Sequence, residues 1–231
     1  MSSVILHTGK RPPAALPPGN TTRVLHQPAL RACALSWTAP QVPLPECGLV
    51  FYSVEGVRAV ADGPGELGCA QLAWAVGHRT AACVEALLGI SQVRCPEDQN
   101  FQGLLRALGT AALPAHLLSF ELSGSPRRLS EHFASAHTTV HSIPCYETLP
   151  VEPGTFARLA RTHPFDWIVL TSPRGAWALA QDIDLSAYQL AAIGPTTARA
   201  IEALGHEVAH VASVPDVDVL IGDVAKLATA Q

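Results

Sequence analysis

Short apolar runs alternate along the chain with segments whose apolar residues recur at helical spacing. The apolar runs predict strands over Val4–His7, Arg23–Gln27, Leu49–Tyr52, Gln71–Val76, His116–Glu121, Thr138–His141, Asp166–Leu170, Gln189–Ile193 and Glu207–Val211. The helical spacing predicts helices, clearest over Thr80–Leu88, Asn100–Leu108, Pro126–Phe133, Thr155–Arg161, Thr196–Leu204 and Asp216–Leu227. Strands that alternate with helices predict an α/β fold with mostly parallel sheets covered by helices on both faces.

One motif occurs twice, as a strand that ends at a glycine and leads directly into a helix. Residues 73–89 read AWAVGHRTAACVEALLG, and residues 191–205 read AAIGPTTARAIEALG. In each copy a threonine follows the first glycine by three positions. The N-terminus of a helix presents N–H groups without partners and a partial positive charge, which suits an anion. The repeat therefore predicts two similar lobes that hold one polyanionic ligand between them.

A second pair of segments repeats in the same order. GLVFYSVEGVRAVAD and DWIVLTSPRGAWALAQ each combine an apolar run, a serine and a helix start made of small residues. Ser53 precedes Gly77 by 24 positions, and Ser172 precedes Gly194 by 22. Two matched pairs at similar spacing indicate a duplicated strand–helix unit.

Two short segments punctuated by proline interrupt this pattern, QPALRACAL at 27–35 and SIPCYETLP at 142–150. If the chain leaves one lobe at the first segment and returns at the second, the second lobe is an insertion. The predicted parts are lobe one at 1–27 and 150–231, lobe two at 36–141, and linker strands at 28–35 and 142–149. The segment PPAALPPGNTT is too rich in proline for a full helix, so we expect the helix after the first strand to be short or missing.

Composition narrows the class of protein. A hydrophobic content of 48% with 15% charged residues is typical of a packed core. The net charge of −4 argues against broad nucleic-acid binding, so a polyanion would be held by local N–H groups and a few cations. Six cysteines without a CxxC pair are typical of reduced thiols. No signal peptide and no membrane span is evident, and we expect a cytoplasmic protein.

The segment HEVAH at 206–210 matches the HExxH motif of zinc proteases. That chemistry requires a helix, in which residues four apart share a face. Here the motif follows Gly205, a natural helix stop, and its residues alternate as in a strand. Two histidines so spaced in a strand would lie ~13 Å apart, so we predict no metal site at this segment.

The repeated segments together resemble the uroporphyrinogen-III synthase family. AIGPTTARAIEALG is similar to the family's C-terminal stretch, WIVLTSPRGA to its strand–serine segment, VGHRTAACVEALLG and FYSVEGV to the counterparts in the inserted lobe, and PCYETLP to the returning linker. The resemblance implies two flavodoxin-like lobes with parallel sheets, joined by a two-stranded linker, with the second lobe inserted in the first.

The resemblance also implies a reaction of haem biosynthesis. Hydroxymethylbilane, a linear tetrapyrrole with eight carboxylates, loses water and closes into a ring while its last pyrrole is inverted. Without enzyme the same substrate closes to the uninverted isomer. The family uses no cofactor and no metal, and the resemblance implies a monomeric lyase without nucleic-acid or membrane partners.

The resemblance carries roles to particular residues. Tyr146 matches the linker tyrosine that helps the hydroxyl leave, and is the expected catalytic residue. The positions expected to bind substrate are Ser53, Gly77, His78, Arg79, Thr80, Ala81, Gly124, Arg127, Ser172, Gly194, Pro195, Thr196, Thr197, Lys10 and Arg11. Three turns depart from the family pattern: HTGKRP stands for its Thr-Arg-Pro turn, LSGSPRR for its Arg-Gly turn, and SVEG for its Ser-Pro.

Other interpretations stay open at this point. Thr80 and Thr197 are also suited to capping a helix, and Tyr146 to packing as a buried aromatic with a wet hydroxyl. Arg127 and Arg128 are also typical of a solvated surface. As a whole, the chain also fits a non-catalytic ligand-binding relative of the family, or a generic sugar-phosphate or nucleotide binder, since a fold does not determine function.

Overall fold

The computed structural model describes residues 3–17, 21–43, 46–63, 67, 70–125, 129–133 and 137–229. The chain forms two compact units, one made of Met1–Arg31 with Leu149–Gln231 and the other of Ala32–Thr148. The strands are β1 Val4–His7, β2 Arg23–His26, β3 Leu30–Ala34, β4 Cys47–Phe51, β5 Leu72–Ala75, β6 Gln92–Arg94, β7 His116–Leu122, β8 Thr139–Pro150, β9 Trp167–Leu170, β10 Gln189–Ala192 and β11 His210–Val211. The helices are α1 Val54–Ala61, α2 His78–Leu88, α3 Phe101–Thr110, α4 Leu129–His132, α5 Thr155–Thr162, α6 Pro173–Ala180, α7 Pro195–Ala203 and α8 Val217–Thr229.

The first unit is built on a five-stranded sheet in the order β11-β10-β9-β1-β2, and all neighbouring strands are parallel. Numbered within the unit, the order is 2-1-3-4-5, as in flavodoxin. Successive side chains point to opposite faces of a strand, so Leu6 and Ile168 pack in one apolar cluster while Ile5 and Val169 pack in another. Both faces of the sheet are therefore buried, as expected for a parallel sheet.

The second unit is built on a six-stranded sheet in the order β3-β8-β7-β4-β5-β6. Its strands from β8 to β6 are parallel. The sequence repeat pairs β4 and β5 with β9 and β10 of the first unit. With that pairing, the order β8-β7-β4-β5-β6 reproduces β2-β1-β9-β10-β11. The two units thus share one spatial arrangement of strands, although the first strand along the chain occupies a different place in each. The predicted α/β fold with parallel sheets is confirmed.

β3 pairs with β8 in the sheet of the second unit. The Leu35 N–H donates to the Cys145 carbonyl at 2.9 Å, and the Val151 N–H to the Ala29 carbonyl at 3.1 Å. From Ala29 to Leu35 the chain advances along β3 while its partner residues go back from Val151 to Cys145, so β3 and β8 are antiparallel. The predicted strand over Thr138–His141 and the segment that follows it form one continuous strand, β8, rather than two separate elements.

Several helix starts follow from local chemistry. Asn100 accepts a hydrogen bond from the Gly103 N–H at 2.9 Å and caps α3. Asp216 accepts from the N–H groups of Asp218 at 2.8 Å and Val219 at 3.0 Å, before α8. Both residue types are preferred at this position because their side-chain oxygens satisfy N–H groups that have no partner inside the helix.

Some elements differ from the prediction. β6 and a 3-10 turn at Leu185–Ala187 were not predicted, because both are too short to show a periodic pattern. Within the predicted helix over Pro126–Phe133, the described residues form α4 at Leu129–His132, and the first three predicted residues lie outside the described ones. None of the described residues between β1 and β2 is helical, as expected. Among the residues described, no helix is long and apolar enough to cross a membrane.

Candidate functional site

Two serines occupy matching positions in the two units, each after a strand and before a helix. Ser53 Oγ accepts a hydrogen bond from the Gly56 N–H at 3.1 Å, and Ser172 Oγ accepts from the Gly175 N–H at 3.0 Å. Their backbones are equally extended, with φ of −156° and −161°. Ser53 therefore caps α1 as Ser172 caps α6, although Ser53 is followed by valine (SVEG) where Ser172 is followed by proline (SPRG).

The two glycine turns also match each other. Gly77 precedes α2 and Gly194 precedes α7, and both have extended backbones. Thr80 and Thr197 lie at the third helical position and are buried, so the interpretation of these threonines as helix caps is wrong. The glycine turn before α2 already has a hydrogen-bond partner within the second unit, because the His78 N–H donates to Gln99 Oε1 at 3.1 Å.

The second unit holds a cavity of about 360 Å³ where β4 and β7 end. This is the point at which the chain order of the strands reverses, where α/β sheets commonly bind ligands. Tyr146 lines the cavity and is 6% exposed. Ser53 Oγ donates to Tyr146 Oη at 2.9 Å, so two residues predicted for the site are in contact. Burial raises the pKa of Tyr146, and the bond from Ser53 partly offsets that rise.

A second phenol, Tyr52, lines the same cavity. Its Oη lies 2.7 Å from Ser119 Oγ, which donates to Glu121 Oε1 at 2.7 Å. Glu121 is 3% exposed and also accepts from Ser142 Oγ at 3.2 Å and from the Leu129 N–H at 3.3 Å. Burial raises the pKa of the Tyr52 phenol, the hydrogen bond with Ser119 partly offsets that rise, and the nearby Glu121 carboxylate adds to it. The cavity thus combines two phenols with a buried acceptor.

The first unit holds a cavity of about 540 Å³ at the equivalent point, where β1 and β9 end. Lys10, Arg11 and Ser172 line it together, so the structure assembles three residues that the sequence predicted for binding. Asp216 and Asp218 also line it, and their Oδ1 atoms accept backbone N–H groups of the chain. The cavity therefore presents both cations and carboxylates.

His7 lies beside this cavity and is 0% exposed. Neither of its ring nitrogens has a hydrogen-bond partner among the described residues. Its ring stacks on His26 with centroids 5.2 Å apart. Burial and the His26 ring lower the pKa of His7 to about 4, so the imidazole is neutral near pH 7. A Cβ on Gly9 would lie 2.5 Å from His7 Nε2, so the loop can cover this ring only with glycine at that position.

Comparison with known proteins identifies the family. The family model described as uroporphyrinogen-III synthase HemD matches residues 21–222. The chain belongs to the uroporphyrinogen-III synthase family. No curated protein matches the sequence.

A solved structure agrees with this family assignment at the level of the fold. The uroporphyrinogen-III synthetase of Helicobacter pylori is similar with a TM-score of 0.67 and 17% identity, over 98% of this chain and 100% of that one. The uroporphyrinogen III synthase of Thermus thermophilus is 15% identical over 99% of this chain and 98% of that one. The TM-score of that comparison is 0.42.

The remaining residues expected from the family resemblance lie in different places. Gly124, with φ of +70°, forms the turn after β7, next to Ser125 of the second cavity. Arg127 lies outside the described residues. Arg79, Ala81 and the 194–197 turn do not line either cavity within the part of the chain that the structure describes. The described residues hold no cluster of three potential metal ligands, and HEVAH follows Gly205 as a loop that leads into β11.

Sequence reasoning missed residues of these cavities and of the hydrogen-bond chain beside one of them: His7, Tyr52, Gln99, Ser119 and Glu121. A signal existed for two of them. Strands buried on both faces are expected to be continuously apolar, yet β7 reads HLLSFEL with Ser119 and Glu121 two residues apart and so on one face. Polar residues repeated on one face of a buried strand indicate a shared partner. Gln99 lies in a loop before α3, where no pattern marks it.

Proposed function

We propose that this protein is a uroporphyrinogen-III synthase, which cyclises and dehydrates hydroxymethylbilane and inverts the last pyrrole ring. The family match over residues 21–222 supports the substrate class. The observation that carries the proposal is the hydrogen bond from Ser53 to Tyr146 beside a cavity. It joins the tyrosine expected to act on the substrate to a serine of the repeated strand–serine segment.

The direction of the hydrogen bonds suits Tyr146 to the departure of a hydroxyl group. Ser53 Oγ accepts the Gly56 N–H and donates its own proton to Tyr146 Oη. The phenol proton of Tyr146 therefore stays available for the substrate. A phenol whose pKa lies above its usual range is protonated at neutral pH and donates as a general acid.

The Tyr146 phenol can account for both proton transfers of the reaction. The C–O bond of the hydroxymethyl group breaks, and the departing oxygen takes the phenol proton and leaves as water. Closure with inversion forms two C–C bonds to the last pyrrole and breaks one, the bond that joined this ring to its neighbouring bridge carbon. The ring carbon that had been unsubstituted releases one proton. That proton restores the tyrosine, so a single residue serves as acid and then as base without a net change.

Binding of the eight carboxylates falls, in this proposal, to local groups. Lys10 and Arg11 supply cations beside the first cavity. The first turns of α2 and α7 supply N–H groups that have no partner inside the helix, apart from the His78 N–H, which donates to Gln99. A chain with a net charge of −4 has no overall attraction for a polyanion, so specificity rests on these positions.

The second candidate is a non-catalytic relative that binds a similar ligand. It is motivated by the turns HTGKRP and SVEG, which depart from the family pattern. The cap geometry of Ser53, equal to that of Ser172, speaks against a damaged turn at SVEG. We therefore place the catalytic function first.

The isomer formed from hydroxymethylbilane separates these two functions. The substrate is generated in situ by the enzyme that produces it, and the products are oxidised and separated by chromatography. We expect the inverted isomer in the presence of the protein and the uninverted one without it. If the protein leaves only the uninverted isomer, the synthase function is wrong and the binding function remains.

A further inference from the structure

The cavity of the second unit presents two phenols whose hydrogen bonds run in opposite directions. Tyr146 Oη accepts a proton from Ser53. Ser119 has a single hydroxyl proton and donates it to the Glu121 carboxylate at 2.7 Å. In the contact of 2.7 Å between Tyr52 and Ser119, the proton therefore comes from Tyr52.

The two phenols therefore differ in the hydrogen bonds that they can still form with a ligand. A hydroxyl group has one donor and two acceptor lone pairs. At Tyr146 one acceptor lone pair is occupied and the O–H is still available as a donor. At Tyr52 the O–H is occupied and acceptor lone pairs are still available. Glu121 fixes this direction, because its Oε1 accepts the hydroxyl proton of Ser119.

Resting on the proposed function, we infer that Tyr52 Oη accepts a hydrogen bond from the N–H of the pyrrole that loses its hydroxyl, and that Glu121 acts through Ser119 as a positioning residue. The ligand group recognised at Tyr52 is an N–H donor, in contrast to the carboxylates that cations recognise elsewhere. Tyr146 faces the leaving oxygen in the same cavity.

The contact strengthens as the reaction proceeds. When the C–O bond breaks, its electron pair leaves with the oxygen, and the pyrrole nitrogen lone pair fills the deficit at carbon. Positive charge then resides on the ring N–H, which becomes a stronger donor. An acceptor backed by a buried negative charge stabilises this state more than the neutral substrate. No bond to Tyr52 or Glu121 forms or breaks.

The test compares three variants that interrupt the chain of hydrogen bonds at different points. Tyr52→Phe removes the acceptor, Ser119→Ala frees the Tyr52 proton, and Glu121→Gln removes the charge at constant size. We expect each to lower kcat by about 10- to 100-fold. The matched control is Ser186→Ala, which removes an exposed serine hydroxyl bonded to Asp184 in the first unit, with kcat within about twofold of wild type.

A binding measurement separates a positioning role from a structural one. The probe is a linear tetrapyrrole with the eight carboxylates and without the hydroxyl group, titrated by calorimetry. We expect Ser119→Ala and Glu121→Gln to bind it as wild type does, because no charge develops on this ligand. Thermal melting confirms that each variant is folded, and Ser119→Ala keeps the test valid if Glu121→Gln does not fold.

The outcomes distinguish this inference from the proposed function. A wild-type protein that forms no inverted isomer overturns both. An active wild type whose folded Tyr52→Phe and Ser119→Ala variants keep full kcat overturns the inference alone. A parallel loss of kcat and of probe affinity in Ser119→Ala also overturns it, since that pattern reports a distorted cavity.

Discussion

The cavity of the first unit and the cavity of the second unit form at equivalent points of the same arrangement and offer different chemistry. In the first unit, the ends of β1 and β9 bring together Lys10, Arg11 and the neutral, buried His7. In the second, the ends of β7 and β4 bring together two phenols and the buried Glu121. Strand order determines where a cavity forms, and a few side chains at strand ends determine what it binds.

The two serine caps show the same divergence on a smaller scale. Ser172 and Ser53 accept equivalent backbone bonds, and only Ser53 adds a bond to a phenol. A hydroxyl accepts and donates at once, so a structural cap acquired a second role without losing the first. We infer that duplication kept the cap while the units diverged in chemistry.

The largest effect is expected at His7, in acid. Its folded pKa of about 4 lies below the ordinary value of 6.5, so between these values the unfolded chain binds a proton that the folded chain does not. Stability is therefore complete above about pH 6.5 and falls by about 3 kcal/mol towards pH 4. His7→Phe, which keeps a ring on His26, should remove this loss in urea unfolding measured across that range.

The control for His7 is His163→Gln, which changes an exposed histidine and should leave the acid sensitivity intact. If His7→Phe loses as much stability on acidification as the wild type, His7 is not the group responsible. The contrast between a neutral buried imidazole in one cavity and a buried carboxyl group with two phenols in the other would then have to be revised.

Tyr146→Phe tests whether chemistry belongs to the second cavity. Loss of a general acid should lower kcat by roughly 100-fold with little change in KM, in assays that separate the two isomers. Tyr188→Phe is the matched control, since Tyr188 belongs to the first unit, where it stacks on Phe165, and it should keep full activity. Equal losses in kcat and affinity would assign Tyr146 to binding.

The double substitution Lys10→Gln with Arg11→Gln tests whether the first cavity binds carboxylates. Removing two cations should raise KM about tenfold and leave kcat unchanged, with a weaker dependence of KM on salt. Lys226→Gln changes an exposed lysine paired with Asp223 and should have no such effect. A fall in kcat at constant KM would contradict the division of roles between the cavities.

The smallest effect compares the caps directly. Ser53→Ala and Ser172→Ala should each lower the free energy of unfolding by about 1 kcal/mol. Only Ser53→Ala should also lower kcat, because Tyr146 loses its donor. Loss of kcat in both variants, measured at equal folded fraction, would show that the two serines do not differ in role.

Much of the fold could be predicted because the pattern is regular where elements are buried. Strands such as β1 and β9 and helices such as α2 and α7 lie within a residue or two of their expected ends. The sequence could not show that β8 runs on through the returning segment, because its partner β3 is distant in the chain. Two-residue β11 is likewise held by its pairing with β10 rather than by its own alternation.

The residues of the candidate site could be predicted where they belong to a sequence motif. The contacts between them could not, because these depend on how distant segments pack. Tyr146 and Ser53 were expected separately, and their hydrogen bond depends on the registration of β8 with its neighbours. Glu121 left a signal in β7 that became meaningful only once Tyr52 was found beside Ser119. His7 carries no such signal, because a histidine at a strand end is equally compatible with solvent.

The two units also differ in when they can be completed during synthesis. The second is one uninterrupted stretch, Ala32–Thr148, whereas the first joins Met1–Arg31 to Leu149–Gln231. β1 therefore leaves the ribosome early and waits for β9, its partner from Trp167 onwards, for roughly ten to thirty seconds at ordinary translation speeds. The inserted unit can fold during that delay, so a nascent chain halted before β9 should carry one finished unit and an apolar β1 whose edge towards β9 is still open, with only β2 available on its other side.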